Sequence, residues 1–364
     1  VGAQLLDRPL PSSRQFSFGF QKSLPLQWVA DLSYVGNLTT KLPVGAGLNF
    51  IPLEALNSIP VADRPGFFNA PVPNPLRGLL PGSAFNGATV PRQQLLTAYP
   101  HFSQVGINNI AIGGQSYHSL QFKGTRRYAG GIAAQVAYTW AKTLERISLL
   151  NAQDVRLNNL FDTRLEQRLT EFDLPHTFSG VVAYELPVGK GKRVFSNARG
   201  IADALIGGWN LNAQFIWRSG QPIEFPNAAP VSARSARLTE SQRDDLARKA
   251  GRDKFNPFFD KWFDTSIFPT RAQAPFTLRD FPTVFPDVRS PYLTSWEISA
   301  YKEFKLRERA RIQVRGDFQN AFDYAYFGRL ISRPNNVQDA RFGQLDPAQG
   351  NQPRVVVLVL KVIF

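Results

Sequence analysis

"ARIQVRGDFQN", residues 310–320, decides the fold. Ala310, Ile312, Val314, Gly316 and Phe318 alternate with Arg311, Gln313, Arg315, Asp317 and Gln319. A period of two puts each set on its own side of a β-strand, one dry and one wet. Slipping the register by one residue would move Arg315 and Asp317 to the apolar side. Against lipid, one such cation at mid-bilayer costs about 2–4 kcal/mol. The register is therefore fixed, and what remains is whether the dry side meets protein or hydrocarbon.

The same alternation recurs along the chain in segments of about ten residues. "SWEISAYKEF" sets Trp296, Ile298 and Ala300 against Glu297, Ser299 and Tyr301, and "WNLNAQFIWRS" sets Trp209, Leu211, Ala213, Phe215 and Trp217 against Asn210, Asn212, Gln214 and Arg218. "QFSFGFQKS", "LQWVADLSYVG" (with Leu26, Trp28, Ala30, Leu32 and Tyr34 on one side), "HSLQFKGTRRY", "GIAAQVAYTWAK", "TFSGVVAYEL" and the closing "VVVLVLKVIF" bring the set to about nine strands. Short connections ("SLPL", "YAGG", "KLRER" and the longer "PVGKGKRVFSNARGIADALIGG") alternate with very long ones, near 37–114, 143–176, 220–293 and 321–354. Such loops are uncommon in compact soluble domains. Strict alternation of short and long connections is the rule in outer-membrane barrels, with short turns periplasmic and long loops extracellular.

Composition narrows the rest. The chain has 364 residues, 43% hydrophobic and 12% aromatic, with 27 Gly and 27 Pro, which favours strands and turns over helical bundles. Net charge is +14, but Lys and Arg are scattered singly, so no nucleic-acid footprint is drawn and no nucleic-acid partner is expected. With no cysteine there is no disulfide or thiolate site. No run approaches the roughly 20 apolar residues of a spanning helix. The opening at Val1 lacks a charged stretch followed by an apolar core, so a signal peptide is absent or already removed.

Tryptophans fall at both strand ends: Trp28 and Trp209 near short turns, Trp140, Trp217 and Trp296 near long loops. Indole rings favour the water–lipid boundary, so these read as two girdles. Lys22, Arg126 and Lys302 share the apolar side but sit near short turns, where their stems are expected to snorkel to headgroups. In the last strand Val356, Leu358, Leu360, Val362 and Phe364 face lipid and Lys361 faces inward, although Val355, Val357 and Val359 are also apolar. Counting back about nine strands sets Val1 on the extracellular side, whereas bacterial barrels usually have an even strand number. The expected fold is therefore all-β: the C-terminal portion, about nine antiparallel strands, of a large transmembrane outer-membrane barrel in the bacterial outer membrane, with earlier strands missing.

"SYHSLQFKGTRRYAGGIAAQVAYTWAKTLE", "EFDLPHTFSGVVAYELPVGKGKR", "LIGGWNLNAQFIWRSGQPIEF", "KWFDTSIF" and "PDVRSPYLTSWEISAYKEFKLRERARIQVRGDFQNAFDYAYFG" follow one another in the order and spacing of a known group. From about Tyr117 to the end the chain resembles TonB-dependent receptor barrels of the Oar-like branch, the type with an N-terminal carboxypeptidase-regulatory-like domain. Before that only the first hairpin and "YPHFSQV" are similar. The resemblance implies that residues 1–364 are a partial barrel of about 22 strands, whose plug, regulatory-like domain and TonB-contacting box lie outside this chain. It implies import of a scarce, bulky ligand through coupling to inner-membrane TonB, with outer-membrane lipid, lipopolysaccharide and the barrel-assembly machinery as further partners. Phe364 resembles the terminal aromatic that this machinery reads. The alternative is a surface-structural or adhesin-like barrel that transports nothing.

No catalytic constellation is present, and no enzyme, metal or cofactor is expected. His101, His118 and His176 are far apart without ligand-spaced carboxylates. "PVGKGKR" lacks the frame of a phosphate loop and reads as a basic periplasmic turn. "LTESQRDDLARKAG" reads as a loop helix, with Thr239 and Gln242 as a capping box and Gly251 at its end. Lys123, Arg127, Arg218, Arg311 and Arg315 face the wet side and are the candidate ligand contacts, biasing a lumen toward anions. The competing reading pairs them with a plug or with carboxylates such as Asp31, Glu297 and Asp317.

Overall fold

In the computed structural model the described residues are 1–4, 6, 9–146, 167–225, 235–268, 274–278, 284–305, 310–328 and 337–364. Nine long strands form one continuous path: β1 (Ser12–Leu24), β2 (Trp28–Gly47), β3 (Gly106–Ala129), β4 (Ile132–Arg146), β5 (His176–Glu185), β6 (Trp209–Arg218), β7 (Leu293–Lys305), β8 (Arg311–Gln319) and β9 (Val355–Ile363). Each pairs antiparallel with its neighbours in chain order. Two short strands join the sheet, Gly2–Gln4 beside β3 and Gln167–Leu169 beside β4. Among the described residues β1 and β9 do not pair with each other, so both edges stay open. All the expected strands are present, in the expected order.

Cross-strand register carries one apolar face through the whole sheet. Tyr34 meets Phe18 and Leu120; Trp140 meets Leu120 and His176; Phe215 meets Gly180 and Trp296; Ala300 meets Leu211 and Gly316; Gly316 meets Leu358. This face is uncovered: Phe18 is 64% exposed, Trp140 57% and Leu358 81%. An apolar band this extensive is far larger than the patches soluble monomers expose. The opposite face carries Ser, Thr, Asn, Gln and charged residues, such as Asn212, Gln214 and Asp317.

The short connections explain the tight hairpins. Gly130 (φ +59°) and Gly131 (φ +85°) supply the two left-handed residues of the β3–β4 turn. In the β1–β2 turn Leu26 (φ +60°) and Gln27 (φ +64°) take that conformation, so Leu26 lies in the turn and not on the strand face expected for it. The turn "KLRER" lies outside the described residues beyond Lys305. β2 and β3 also run further than expected, to Gly47 and back to Gly106, with register shifts after Thr40. The hairpin therefore projects past the roughly 9–11 residues a spanning strand needs.

Gly180 shows how the apolar face packs. A Cβ built there would fall 2.6 Å from the Phe215 ring. Phe215 lies across it, 5.0 Å from Phe178 and stacked at 4.8 Å on Trp296. Gly180→Val should displace that ring and destabilise the barrel by about 1–3 kcal/mol, the usual cost of overpacking. Chemical denaturation in lipid vesicles checks it, and adding Phe215→Ala should remove most of the penalty.

The dry core is not in the sheet. Ile223, Phe225, Phe263, Ile267, Phe268, Phe285 and Phe342 cluster where the third and fourth long loops meet. A two-stranded ribbon, Pro222–Glu224 with Val284–Arg289, frames it. The helix Glu240–Lys249 has the expected capping box, with Thr239 Oγ1 accepting from the Gln242 N–H and Gln242 Oε1 from the Thr239 N–H. Gly251 follows at φ +80°. Arg243 stacks on Trp262 at 4.1 Å, fastening the helix to this core. The first loop joins through Phe68, fully buried and 5.1 Å from Phe276.

Candidate functional site

The region with the chemistry to meet a solute is the polar face of the sheet. Strand alternation places Lys123, Arg127, Arg218, Arg311 and Arg315 on the polar face. They do not converge. Lys123 is on β3 and Arg315 on β8, five strand spacings apart, about 24 Å along the sheet. Arg127 sits beside the bulge near the β3–β4 turn, its N–H donating to the Gln27 carbonyl at 3.1 Å. Arg218 is at the long-loop end of β6, opposite Leu293.

Their partners divide them. Arg315 Nε donates to Asp317 Oδ1 at 2.7 Å, and Arg311 to Glu303 Oε2 at 3.3 Å. Lys123 lies opposite Asp31 in register, yet it, Arg127 and Arg218 form no ion pair among the described residues. Exposed pairs like Arg311–Glu303 contribute little stability, so all five remain available to an anionic solute. Around Arg315 the face dips into a depression of about 290 Å³ lined also by Asn212, Gln214, Glu297, Asp317 and Gln319. This groove holds donors and acceptors of both signs and can bind a polar solute through several hydrogen bonds at once.

At the long-loop rim, on the apolar side of the sheet, a larger hollow of about 590 Å³ lies between Tyr34, His118, Leu120, Trp140, Asp173 and Arg289, apart from the polar groove. His118 and His176 each share a 2.7 Å hydrogen bond with a tyrosine on the neighbouring strand, Tyr34 and Tyr138. Both therefore sit at the girdle, and His101 packs on Phe102 at 4.3 Å in the first loop. No cluster of three or more metal-ligating side chains exists among the described residues.

The residue pair that sequence reasoning missed is Asp173 and Arg289. Arg289 Nη2 donates to Asp173 Oδ2 at 2.6 Å and Nη1 to the Asp173 carbonyl at 2.9 Å, while Asp173 Oδ1 accepts the Thr143 N–H at 2.6 Å. Asp173 is 1% exposed. This pair ties the second and third loops to the end of β4. Both residues lie in the segments "EFDLPH" and "PDVRSPY" that carry the family resemblance, but nothing in a single sequence shows that they meet.

Two apolar-face cations differ from expectation. Lys302 does not snorkel: it is 5% exposed, and Nζ donates to the carbonyls of Asp203 (3.1 Å), Ala204 (2.6 Å) and Gly207 at the end of the helix Gly200–Ile206. Arg126 binds turn carbonyls, Leu26 at 3.3 Å and Ala129 at 3.1 Å. Both satisfy carbonyls that a tight turn or helix end leaves free. Phe364 follows β9 and is 93% exposed.

In the cap Asp260 is held by Arg252 and accepts the Asn256 N–H at 2.8 Å. Burial pushes its carboxyl up, but these partners outweigh it and hold it below the ordinary aspartate range. A depressed folded value gives stability above the unfolded pKa that is lost as pH falls through the folded one. Amide protection across 252–262, taken relative to the intrinsic exchange rate at each pH, should therefore fall below about pH 4. In Asp260→Asn the acid step should vanish; an unchanged step would assign it elsewhere.

A family described as "Outer membrane beta barrel domain" matches residues 3–356. Among solved structures the chain is similar to the outer membrane transporter YddB from Escherichia coli, at TM-score 0.46 and 10% identity, covering 100% of this chain and 34% of that one. It is also similar to the pyoverdine outer membrane receptor FpvA from Pseudomonas aeruginosa (TM-score 0.39, 8% identity, 97% of this chain and 30% of that one). The ferric-catecholate import receptor Fiu from Escherichia coli K12 gives TM-score 0.38 at 8% identity, over 97% and 27%. The chain thus spans about a third of the length of the solved structures it matches. No curated protein matches.

Proposed function

The chain belongs to the outer membrane β-barrel domain family, and from that premise we propose that it is the barrel portion of a TonB-dependent importer. The apolar face meets lipid, and the polar face lines a lumen. The observation that carries the reading is the ordered run of Oar-like segments from Tyr117 onward, borne on strands whose polar face sets Asn212 and Gln214 opposite Ser299 and Glu297. The open edges at β1 and β9 support a larger barrel in which further strands complete the wall, since an unpaired edge in lipid is not tolerated. A solute of mixed polarity and net negative charge is captured beneath the loop cap and passed along Arg218, Arg315, Arg311, Lys123 and Arg127. A plug and TonB, contributed from outside residues 1–364, then drive its release.

The test is depletion of bulky solutes from defined medium by cells carrying the full-length protein, with and without TonB. TonB-dependent depletion is expected, weakened by Arg315→Ala combined with Arg218→Ala. Depletion that persists without TonB overturns the mechanism. No depletion in either strain favours the alternative, a surface-structural or adhesin-like barrel, to which a rigid, aromatic-cored cap would be suited.

A further inference from the structure

The basic connection between β5 and β6, residues 187–208, holds a helix against the outside of the barrel. Asp203 Oδ1 accepts the Lys190 N–H at 2.6 Å, and Gly189 and Gly207 pack so closely that a Cβ on Gly189 would lie 2.5 Å from the Gly207 Cα. Lys302, rising from the apolar face of β7 opposite Trp209, caps the helix Gly200–Ile206. Trp209 Nε1 donates to the Leu205 carbonyl at 2.8 Å. The helix is thus seated level with the short-turn girdle, at the lower margin of the lipid-facing band.

Its far side is apolar and bare. Ile201 and Leu205, one helical turn apart, are 80% and 67% exposed, and Phe195 is 67% exposed. Lys190, Arg193 and Arg199 of the same connection are exposed and form no ion pair among the described residues, and Asp203, turned to the barrel, is the connection's carboxylate. An exposed apolar ridge beside the lipid-facing wall, in a connection that also carries three exposed, unpaired cations, matches a bilayer surface with anionic headgroups.

We propose that residues 194–206 are an interfacial anchor. Phe195, Ile201 and Leu205 insert into the periplasmic leaflet, and Lys190, Arg193 and Arg199 bind its anionic phospholipid headgroups. This rests on the barrel lying in the outer membrane and not on transport.

The test uses the full-length protein in vesicles of phosphatidylethanolamine and phosphatidylglycerol, with nitroxide labels on Ile201→Cys, Leu205→Cys and, as reference, Gly191→Cys. Barrel folding is verified for each by heat-modifiable gel migration. Labels at 201 and 205 should be reached by oxygen and shielded from a water-soluble nickel chelate, at a depth of about 5–10 Å, while the label at 191 stays in water. Replacing phosphatidylglycerol by phosphatidylcholine, or combining Lys190→Gln, Arg193→Gln and Arg199→Gln, should move both labels outward. Chelate access at 201 and 205 equal to that at 191 overturns the anchor. Shielding from both oxygen and chelate shows a protein cover and overturns it equally. A depth indifferent to lipid charge overturns the headgroup contacts.

Discussion

Ala213→Arg should destabilise the barrel by about 2–4 kcal/mol, while Gln214→Arg, one residue along, should stay within about 0.5 kcal/mol. The two positions share a strand and a height. Ala213 is midway between Trp209 and Trp217 on the same face, about 13 Å from each girdle, with Val182 and Ile298 as cross-strand neighbours. A guanidinium there has no water and no carboxylate within reach. Gln214 points the other way, is exposed, and faces Glu297 across the strand pair, so an arginine gains a partner. Folding equilibria of the full-length protein in vesicles measure both. Equal penalties would mean that both faces are wet or both dry. A larger penalty at 214 would turn the barrel inside out.

That prediction could be written from the sequence because period-two alternation fixes faces without knowledge of partners. Arg315 and Asp317, which flank Gly316 and share the opposite strand face, already exclude the wrong register. The limits of legibility follow from the same physics. Beyond Thr40 the β2–β3 ladder shifts register repeatedly, and the alternation of Leu42, Val44 and Ala46 in "KLPVGAG" is interrupted by Pro43, Gly45 and Gly47, so the extension does not read as strand. The cap failed differently. Its phenylalanines, from Phe225 to Phe342, are spread over loops with no common period, so their abundance was visible and their convergence was not. Lys302 was misread for want of one neighbour: a cation on a lipid face near a turn is expected to reach headgroups, unless a helix end happens to lie above it. The five candidate cations were placed on the right face by parity, but parity says nothing of lateral distance, and the strand order spreads them along the wall.

Asp173→Ala should release the cap while leaving the barrel folded. Breaking a buried ion pair by removing one partner costs about 3–5 kcal/mol, because the survivor stays desolvated without compensation. Here the survivor is Arg289, and the Thr143 N–H loses its acceptor as well. The loss is local, since Asp173 joins the second loop to the third and none of its partners lies within the nine-strand ladder below Thr143. Residues 220–292 should then be cut by added protease at rates at least tenfold above the native protein, with heat-modifiable barrel migration unchanged; a tenfold shift corresponds to about 1.4 kcal/mol of opening. Asp173→Asn keeps an acceptor for Thr143 and should fall between the two. The Arg341–Asp339 pair, whose arginine is exposed, is the control: Arg341→Ala should change the rate by less than about fivefold, the equivalent of the about 1 kcal/mol typical of surface bridges. Collapse of the barrel together with the cap would show that the loops hold up the wall, and the cap could then not serve as a separately opening gate over the lumen.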